Sequence, residues 1–369
     1  MMQSNTESAL FLIHSLTTAS SQSQKAWQGS SFLASSRIQL EPARRATEQL
    51  GITPVIRNIR SEKPDFLTSI GTAKFCILGK LSHPDKDFAS RIAIANLAAI
   101  PILKRRKIPI ITTYSDNLAS LGEGPISELY RSLLWNSDVV VYPCNAMNKL
   151  GEKWYDPRIK PAEWIIKDPW QVEEKPFKVL KRQETCRIIW FGHSSNAIYL
   201  INELNNILGR CDSWNEYELT VLTDEETGKL IHSKFHQIQA RRSWKFRFRK
   251  WEANSQPTQL NEELNKAHIA ILPSDPSNTR KSAASHNRAV DSIQGGCMTI
   301  TSPIDSYVEL KKLLLITNDF AEMLNAGIKD HNRLTKKWGQ TRRDMLKQFS
   351  PEENLQNWKK LILSLNKQT

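Results

Sequence analysis

The sequence predicts an α/β protein made of two successive parallel-sheet domains, and three observations lead to this prediction. The chain has 369 residues, enough for two domains at about 150 residues each. Short apolar runs alternate with amphipathic helical stretches, a pattern typical of β-α-β units. One polar stretch, residues 171–185, interrupts the alternation, which then starts again. We therefore expect a linker there and an α/β domain on either side.

In the first half of the chain, apolar runs and helical segments follow one another in the order a parallel sheet requires. The predicted strands are Ala9–Ile13, Val55–Ile59, Phe75–Leu78, Ile108–Thr112 and Val139–Tyr142. The predicted helices are Ile38–Leu50, Phe88–Lys104 and Ile126–Trp135. Gly51, directly after the first helix, is typical of a helix end. Residues 1–170 are expected to form the N-terminal domain.

The second half repeats this pattern. Its predicted strands are Arg187–Phe191, Leu219–Leu222, Phe246–Phe248, Ile269–Leu272, Met298–Thr301 and Leu313–Ile316. A helix is predicted over Ala197–Leu208, and long polar helices follow Phe320. Residues 186–335 are expected to form the C-terminal domain, and the helices of residues 336–369 are expected to cross back to the first domain.

Composition limits the classes of function. The chain carries 51 Lys+Arg against 38 Asp+Glu, a net charge of +13, which suits a protein that handles anions. Its 5 cysteines are scattered, so neither a disulfide framework nor a zinc knuckle is predicted, and we expect a cytoplasmic protein. No apolar run approaches the roughly 18 residues of a membrane span.

Several familiar catalytic signatures are missing from the sequence. No G-x-G-x-x-G follows a strand, and there is no G-x-x-x-x-G-K-[ST], H-E-x-x-H or G-x-S-x-G. Hydride transfer, P-loop nucleotide hydrolysis, zinc-dependent hydrolysis and nucleophile-elbow chemistry are therefore disfavoured. No cluster with metal-ligand spacing is visible either, so no metal site is predicted.

The most informative stretch is Ile269–Leu310, in which a buried strand runs into a Pro/Ser/Asp/Asn loop and then a helix expected to begin near Arg280. Ligands of open α/β sheets bind beyond the carboxyl ends of the strands, where such a helix starts. Its free N–H groups, with Lys281 and Arg288 two helical turns apart, would form a cradle for a diphosphate. A solvated amphipathic helix packed on the sheet is an equally open interpretation.

This stretch resembles the donor-site signature of the GT-B glycosyltransferases, particularly the large retaining group that uses nucleotide sugars. The matching residues are Lys281-Ser282, Asn287-Arg288, Asp291, Gly295-Gly296 and Ser302-Pro303 through Tyr307-x-Glu309. Asp291 stands where that family usually has Glu. The resemblance implies two Rossmann-like domains facing a central cleft, and transfer of a sugar from a nucleotide-sugar donor to a hydroxyl acceptor (a glycan, a lipid or a small molecule).

The resemblance also assigns roles in the donor domain. Backbone groups of the loop after the first strand would contact the donor phosphates, and Lys281 and Arg288 would neutralise the leaving diphosphate. The donor-binding residues so implied are Gly192, Ser194, Ser195, Lys281, Asn287, Arg288 and Asp291. The nucleotide sugar is then a substrate, and no metal or other cofactor is expected. A catalytically inactive module that binds a nucleotide sugar or a polyanion, and a nucleotide-sugar epimerase, remain alternatives.

The acceptor side is less clear from the sequence. His14 ends the first strand and Asp116 follows the fourth, and either could remove a proton from the acceptor hydroxyl if the reaction inverts configuration. Ser36 and Arg37 precede a helix and are expected on the acceptor side of the cleft. A simple strand-end histidine and a turn or N-cap aspartate are the structural alternatives for His14 and Asp116.

The stretch Arg241–Trp251 alternates basic and aromatic residues, which predicts a strand with one cationic and one apolar face. It could be a core strand with a basic outer face, or an electrostatic patch for an anionic membrane surface or a polyanionic acceptor. Nucleic-acid binding is disfavoured, because no RRM, KH or helix-turn-helix pattern accompanies it. Peripheral attachment to the inner face of a membrane is therefore left open.

Overall fold

The structure, a computed structural model, describes residues 7–13, 36–58, 73–79, 81, 86–252 and 257–365. The chain divides into two compact units. Unit 1 comprises Met1–Pro169, Ala283–Ser285 and Ser350–Thr369, and unit 2 comprises Trp170–Ser282 and His286–Phe349. Each unit contains a six-stranded sheet whose pairings are parallel. The predicted fold class, two parallel-sheet α/β domains, is confirmed.

Unit 1 is built on strands β1 to β6 in the spatial order β2-β1-β3-β4-β5-β6. The strands are β1 (Ser8–Ile13), β2 (Thr53–Asn58), β3 (Ala73–Leu78), β4 (Ile110–Thr113), β5 (Val139–Tyr142) and β6 (Ala162–Ile165). The α-helices are α1 (Glu41–Gln49), α2 (Lys86–Arg105), α3 (Pro125–Asn136), α4 (Asn145–Gly151) and α10 (Pro351–Leu365). Strands β4 and β5 are buried along their whole length, as expected for central parallel strands covered on both faces.

Unit 2 is built on strands β7 to β12 in the spatial order β12-β11-β10-β7-β8-β9. The strands are β7 (Cys186–Phe191), β8 (Glu216–Thr223), β9 (Ser243–Lys250), β10 (Ile269–Leu272), β11 (Met298–Thr301) and β12 (Leu315–Ile316). The α-helices are α5 (Ser194–Arg210), α6 (Glu225–His236), α7 (Thr258–Leu264), α8 (Asn287–Gln294) and α9 (Phe320–Leu346). This is the doubly wound order in which the first and fourth strands of the unit lie side by side.

Strand β9 lies at the edge of the unit 2 sheet and has the two faces that its alternation predicts. On the apolar face, Trp244 stacks on Tyr217 at a ring separation of 4.4 Å, and Phe246 packs against Phe235 at 5.1 Å. On the other face, Arg247 and Arg249 both pair with the buried carboxylate of Glu263. The strand is therefore part of the fold of unit 2, with a basic outer face.

Among the described residues, none of the helices has both the length and the apolar character that crossing a bilayer demands. Within the same part of the chain, no three His, Cys, Asp or Glu side chains come together as metal ligands would.

Candidate functional site

The unit 2 sheet has a topological switch point between β7 and β10. From β7 the chain continues to β8 on one side, and it reaches β10 on the other side only after β9 and α7. The connections leaving β7 and β10 therefore diverge, and the carboxyl ends of strands at such a point are where open α/β sheets generally bind ligands. The segments that follow the two strands, Gly192–Asn196 and residues 273–288, supply most of the predicted donor-binding residues.

The first segment turns from β7 directly into α5. His193 caps the helix, because its Nδ1 atom accepts a hydrogen bond from Ser195 N at 3.2 Å. His193, Ser194 and Ser195 are all exposed, and α5 runs for 17 residues behind them. The partial positive charge at this helix N-terminus favours an anion at this position.

The second segment is a loop shaped by short side-chain contacts, and the prediction of a helix from Arg280 is wrong. Asp275 Oδ1 accepts hydrogen bonds from Ser277 N at 2.9 Å and from Ser277 Oγ at 2.6 Å. These hydrogen bonds lower the pKa of Asp275. Asn278 then turns the chain again, since its Oδ1 atom accepts from Arg280 N at 3.0 Å. Such local side-chain contacts compete with a helix, and α8 begins only at Asn287.

Lys281 is therefore held by a turn and does not lie on the same helix as Arg288. Its backbone N donates to Asn278 O at 2.8 Å. Its Nζ atom donates to Asn196 Oδ1 at 2.8 Å, which places the ammonium group beside the first turn of α5. The side chain is half-buried. A cation in this position adds to the positive potential of the helix N-terminus.

Arg288 approaches the same place from the first turn of α8. A Cβ atom built on Gly192 would lie 3.4 Å from Arg288 Nη1 and 3.7 Å from Asn196 Nδ2. Arg288 Nη1 is buried and has no hydrogen-bond partner among the described residues. A buried guanidinium nitrogen without an acceptor costs free energy, and an anionic ligand is one group that can supply the acceptor.

Two hydroxyl groups on the neighbouring segments are also buried without a hydrogen-bond partner among the described residues. Thr301 Oγ1, at the carboxyl end of β11, and Ser306 Oγ, in the 3-10 helix Asp305–Leu310, are buried and lack partners in the described part of the chain. Ser302, between them in sequence, is used internally, because its Oγ atom accepts from Ser274 N at 2.9 Å. Unsatisfied polar atoms thus accumulate at the ligand-binding edge of the unit 2 sheet.

The remaining predicted donor-binding residues lie on α8. Asn287 is half-buried at the start of the helix. Asp291 is only 2% exposed, and its Oδ1 atom accepts a hydrogen bond from Gln171 N at 2.8 Å. That carboxylate therefore holds the chain where it enters unit 2, and its role in orienting the donor stays a prediction.

The predicted acceptor-side residues belong to unit 1. His14 lies outside the described residues, and the side chain of Ser36 is likewise not described. Arg37 is half-buried in the π-helical turn Ser36–Leu40 that leads into α1. Asp116 is half-buried in the turn after β4, where its backbone O accepts from Leu118 N at 2.7 Å.

Two further residues make side-chain contacts that the sequence did not predict. Asn196 holds Lys281, and its only sequence signal is its position in the first turn after the glycine loop. Asp168 is the second: it is 3% exposed, and burial raises its pKa to about 6 although Ser285 and Gln39 donate hydrogen bonds to it. It lines a cavity of about 10 Å³ in unit 1, room for at most one water molecule, so its role is structural.

Comparison with known proteins identifies the fold. Neither a protein-family model nor a curated protein sequence matches the chain. Among solved structures, Anabaena Alr3699/HepE in complex with UDP and glucose matches with a TM-score of 0.65 at 10% identity, covering 97% of this chain and 100% of that chain. AviGT4, a glycosyltransferase involved in avilamycin A biosynthesis, matches with a TM-score of 0.52 at 9% identity over 97% of both chains. TarM matches with a TM-score of 0.53 at 10% identity, covering 88% of this chain and 57% of that chain.

At such low identity these similarities bear on the fold alone. The two six-stranded parallel sheets of this chain agree with them. The chain has the GT-B fold of the glycosyltransferases that it resembles.

Proposed function

We propose that the protein is a glycosyltransferase that moves a sugar from a nucleoside-diphosphate sugar to a hydroxyl acceptor. The observation that carries the proposal is the buried, unpartnered Nη1 atom of Arg288 beside Gly192 at the N-terminus of α5. A diphosphate fits this position because Lys281 and the N-terminal end of the α5 dipole add positive charge from two further directions. The HepE structures, which contain UDP or UDP-glucose, make a uridine nucleotide the first donor to test.

The proposed chemistry is stabilisation of the leaving group. As the bond between the sugar and the diphosphate breaks, negative charge grows on the phosphate oxygens. Lys281, Arg288 and the N-terminus of α5 would stabilise that charge from fixed positions, which is more effective than reorganising solvent. Since these groups already supply the positive charge, we propose that transfer needs no divalent metal; activity that survives EDTA would support this, and activity restored only by added Mg²⁺ would contradict it.

We further propose that unit 2 holds the donor and unit 1 the acceptor. If the reaction inverts configuration, Asp116 is the base that we propose among the described residues of unit 1. If it retains configuration, the donor phosphate can assist and no protein base is needed. NMR of the product anomer distinguishes the two outcomes, and loss of turnover with intact donor binding in Asp116→Asn would support the base.

A thermal-shift panel tests the donor site. The wild-type chain would be heated with UDP, GDP, ADP, CMP and their sugar conjugates, alongside Arg288→Ala, Lys281→Ala and the exposed control Lys311→Ala. A ligand at a hundred times its Kd adds about 2.7 kcal/mol to the free energy of unfolding. We expect stabilisation by one nucleotide class, lost in the first two variants and kept in the third.

The same panel can contradict the proposal. If no nucleotide shifts the melting temperature, the donor site is wrong. If a nucleotide sugar binds but no acceptor receives sugar, the chain is a binding module, and a changed nucleotide sugar formed without acceptor would identify an epimerase.

A further inference from the structure

Helix α2 of unit 1 is apolar on its outward face as well as on its inward face. Its inward residues are fully or almost fully buried: Ile92, Ala93, Ala95, Ala99, Ile100 and Leu103. Its exposed positions recur every three or four residues and form one stripe of Asp87, Arg91, Ile94, Ala98, Pro101 and Arg105, with Lys104 exposed beside the last of them. Ile94 is 50% exposed. A helix covering a sheet normally turns polar residues outward, whereas the middle of this stripe is apolar and its carboxyl end is basic.

The carboxyl end of α2 carries a run of four exposed cations, Lys104 to Lys107. Lys104 Nζ pairs with Asp138 Oδ1 at 3.1 Å, whereas Arg105 and Lys107 take part in no ion pair among the described residues. Lys107 has a φ of 56°, in the left-handed position after a helix where glycine is the usual residue.

An exposed tryptophan lies at the same end. Trp135 is 46% exposed in the last turn of α3, which packs beside α2. The contact between Lys104 and Asp138, just after α3, places the carboxyl ends of the two helices side by side. The tryptophan and the cations thus lie at neighbouring helix ends of unit 1.

We propose that this α2 surface docks on an anionic lipid membrane. The stripe from Arg91 to Arg105 is about 21 Å long at 1.5 Å per residue, so the helix can lie in the membrane plane. Ile94, Ala98 and Pro101 would enter the boundary between headgroups and acyl chains, and the cations would contact anionic headgroups. Trp135 is of the residue type that favours this interface. The proposal does not depend on the proposed transferase activity.

Charge and area favour a membrane over a protein partner. The basic run at the helix end is complementary to an anionic surface, and Asp87, at the opposite end of α2, is the one acidic residue in the helix. A stable protein interface buries about 800 Å² per partner, which a stripe one residue wide does not supply. A lipid surface needs no matching contour and accepts a narrow apolar stripe.

Flotation with lipid vesicles tests the proposal on the full chain. Vesicles of phosphatidylcholine alone would be compared with vesicles containing phosphatidylglycerol, at low and at physiological salt. Two variants target the surface: Ile94→Asp, and the double charge reversal Arg105→Glu with Lys107→Glu. Their controls in unit 2 are Leu230→Asp, at a side chain that is 51% exposed, and the double reversal Lys311→Glu with Lys312→Glu.

We expect the wild type to float with anionic vesicles only, and less so as salt rises. Each lost Lys or Arg contact weakens partition by roughly fivefold, so the double charge reversal should bind at least about tenfold more weakly. Ile94→Asp removes the large apolar side chain of the stripe and adds a negative charge, so we expect a loss of at least about tenfold there too. Both controls should stay within about twofold. Equal losses in the α2 and Lys311/Lys312 charge variants would overturn the proposal, since net charge alone would then explain binding. It is also overturned if no vesicle binds, or if light scattering shows a dimer that Ile94→Asp dissociates.

Discussion

Lys281 Nζ donates a hydrogen bond to Asn196 Oδ1 at 2.8 Å, and this contact joins the loop after β10 to the first turn of α5. The two segments leave neighbouring strands at the switch point of the unit 2 sheet. The contact therefore positions a cation at the topological switch point, where we propose that the donor binds. The first prediction concerns this pair.

Changing Asn196 should alter donor binding according to the charge introduced. Asn196→Asp places a carboxylate against Lys281 and offsets the positive charge of the ammonium group, so we expect nucleotide affinity to fall by at least about tenfold. Asn196→Ala releases Lys281 without adding charge, and a loss of only a few fold is expected. Isothermal titration with the nucleotide found in the thermal-shift panel measures both. If the two variants bind equally well, Lys281 does not contact the ligand.

Gly192→Ala should leave the fold intact and impair binding. The new methyl group would meet Arg288 Nη1 at 3.4 Å, an ordinary contact, but it would occupy the space beside the unpartnered guanidinium nitrogen. We expect a melting temperature within about 2 °C of wild type and a loss of nucleotide affinity above about tenfold. Gly209→Ala is the matched control, since a Cβ there meets nothing within 4 Å and should stabilise α5 by about 0.5–1 kcal/mol. Unchanged affinity in Gly192→Ala would place the phosphates elsewhere.

Asp291 should matter for stability more than for binding. Asp291→Ala removes the acceptor of Gln171 N, and we expect the free energy of unfolding to fall by about 1–3 kcal/mol. Asp291→Asn keeps an oxygen acceptor and should lose less stability. Both folded variants should bind nucleotide as the wild type does. A large loss of affinity in a stable Asp291→Asn chain would instead restore the sequence hypothesis that this carboxylate orients the donor.

Acid should stabilise unit 1 through Asp168. Burial raises its pKa from 3.8 to about 6, so the native state binds a proton that the unfolded chain releases. The stability this group contributes is complete below pH 3.8 and is lost as the pH rises through 6, on the order of 3 kcal/mol in all. Asp168→Asn should remove this dependence, which hydrogen exchange of β5 peptides can measure. Equal pH profiles for the variant and the wild type would contradict the assignment.

Acid should destabilise unit 2 through His268, which is the opposite of the effect expected for Asp168 in unit 1. Burial lowers the pKa of His268 from 6.5 to about 4, and its Nδ1 atom accepts from Arg187 N at 3.1 Å. The stability contributed by this neutral imidazole is present above pH 6.5 and is lost as the pH falls through 4. His268→Asn should reduce the loss of stability at low pH, which hydrogen exchange of β7 peptides measures. If β7 peptides are protected equally at pH 4 and pH 7, the prediction is wrong.

The chain itself determines its fold class and the identity of the candidate donor residues. Apolar runs such as Val139–Tyr142 and Ile269–Leu272 predict central parallel strands, because a strand that is covered on both faces has no position for a polar side chain. Their alternation with helices restricts the topology to β-α-β units. The chemistry of Lys281 and Arg288 follows directly from their side chains.

The tertiary structure alone decided how these residues meet. The order of strands results from pairing between residues that are far apart in the sequence. No local sequence pattern therefore predicts that β7 pairs with β10, or that Arg288 lies close to Gly192. Local side-chain contacts of Asp275 and Asn278 overrode the helix expected from Arg280. The hydrogen bond from Gln171 N to Asp291 Oδ1 is a further example, because the tertiary structure, and not the residue type, decides which donor a buried carboxylate meets.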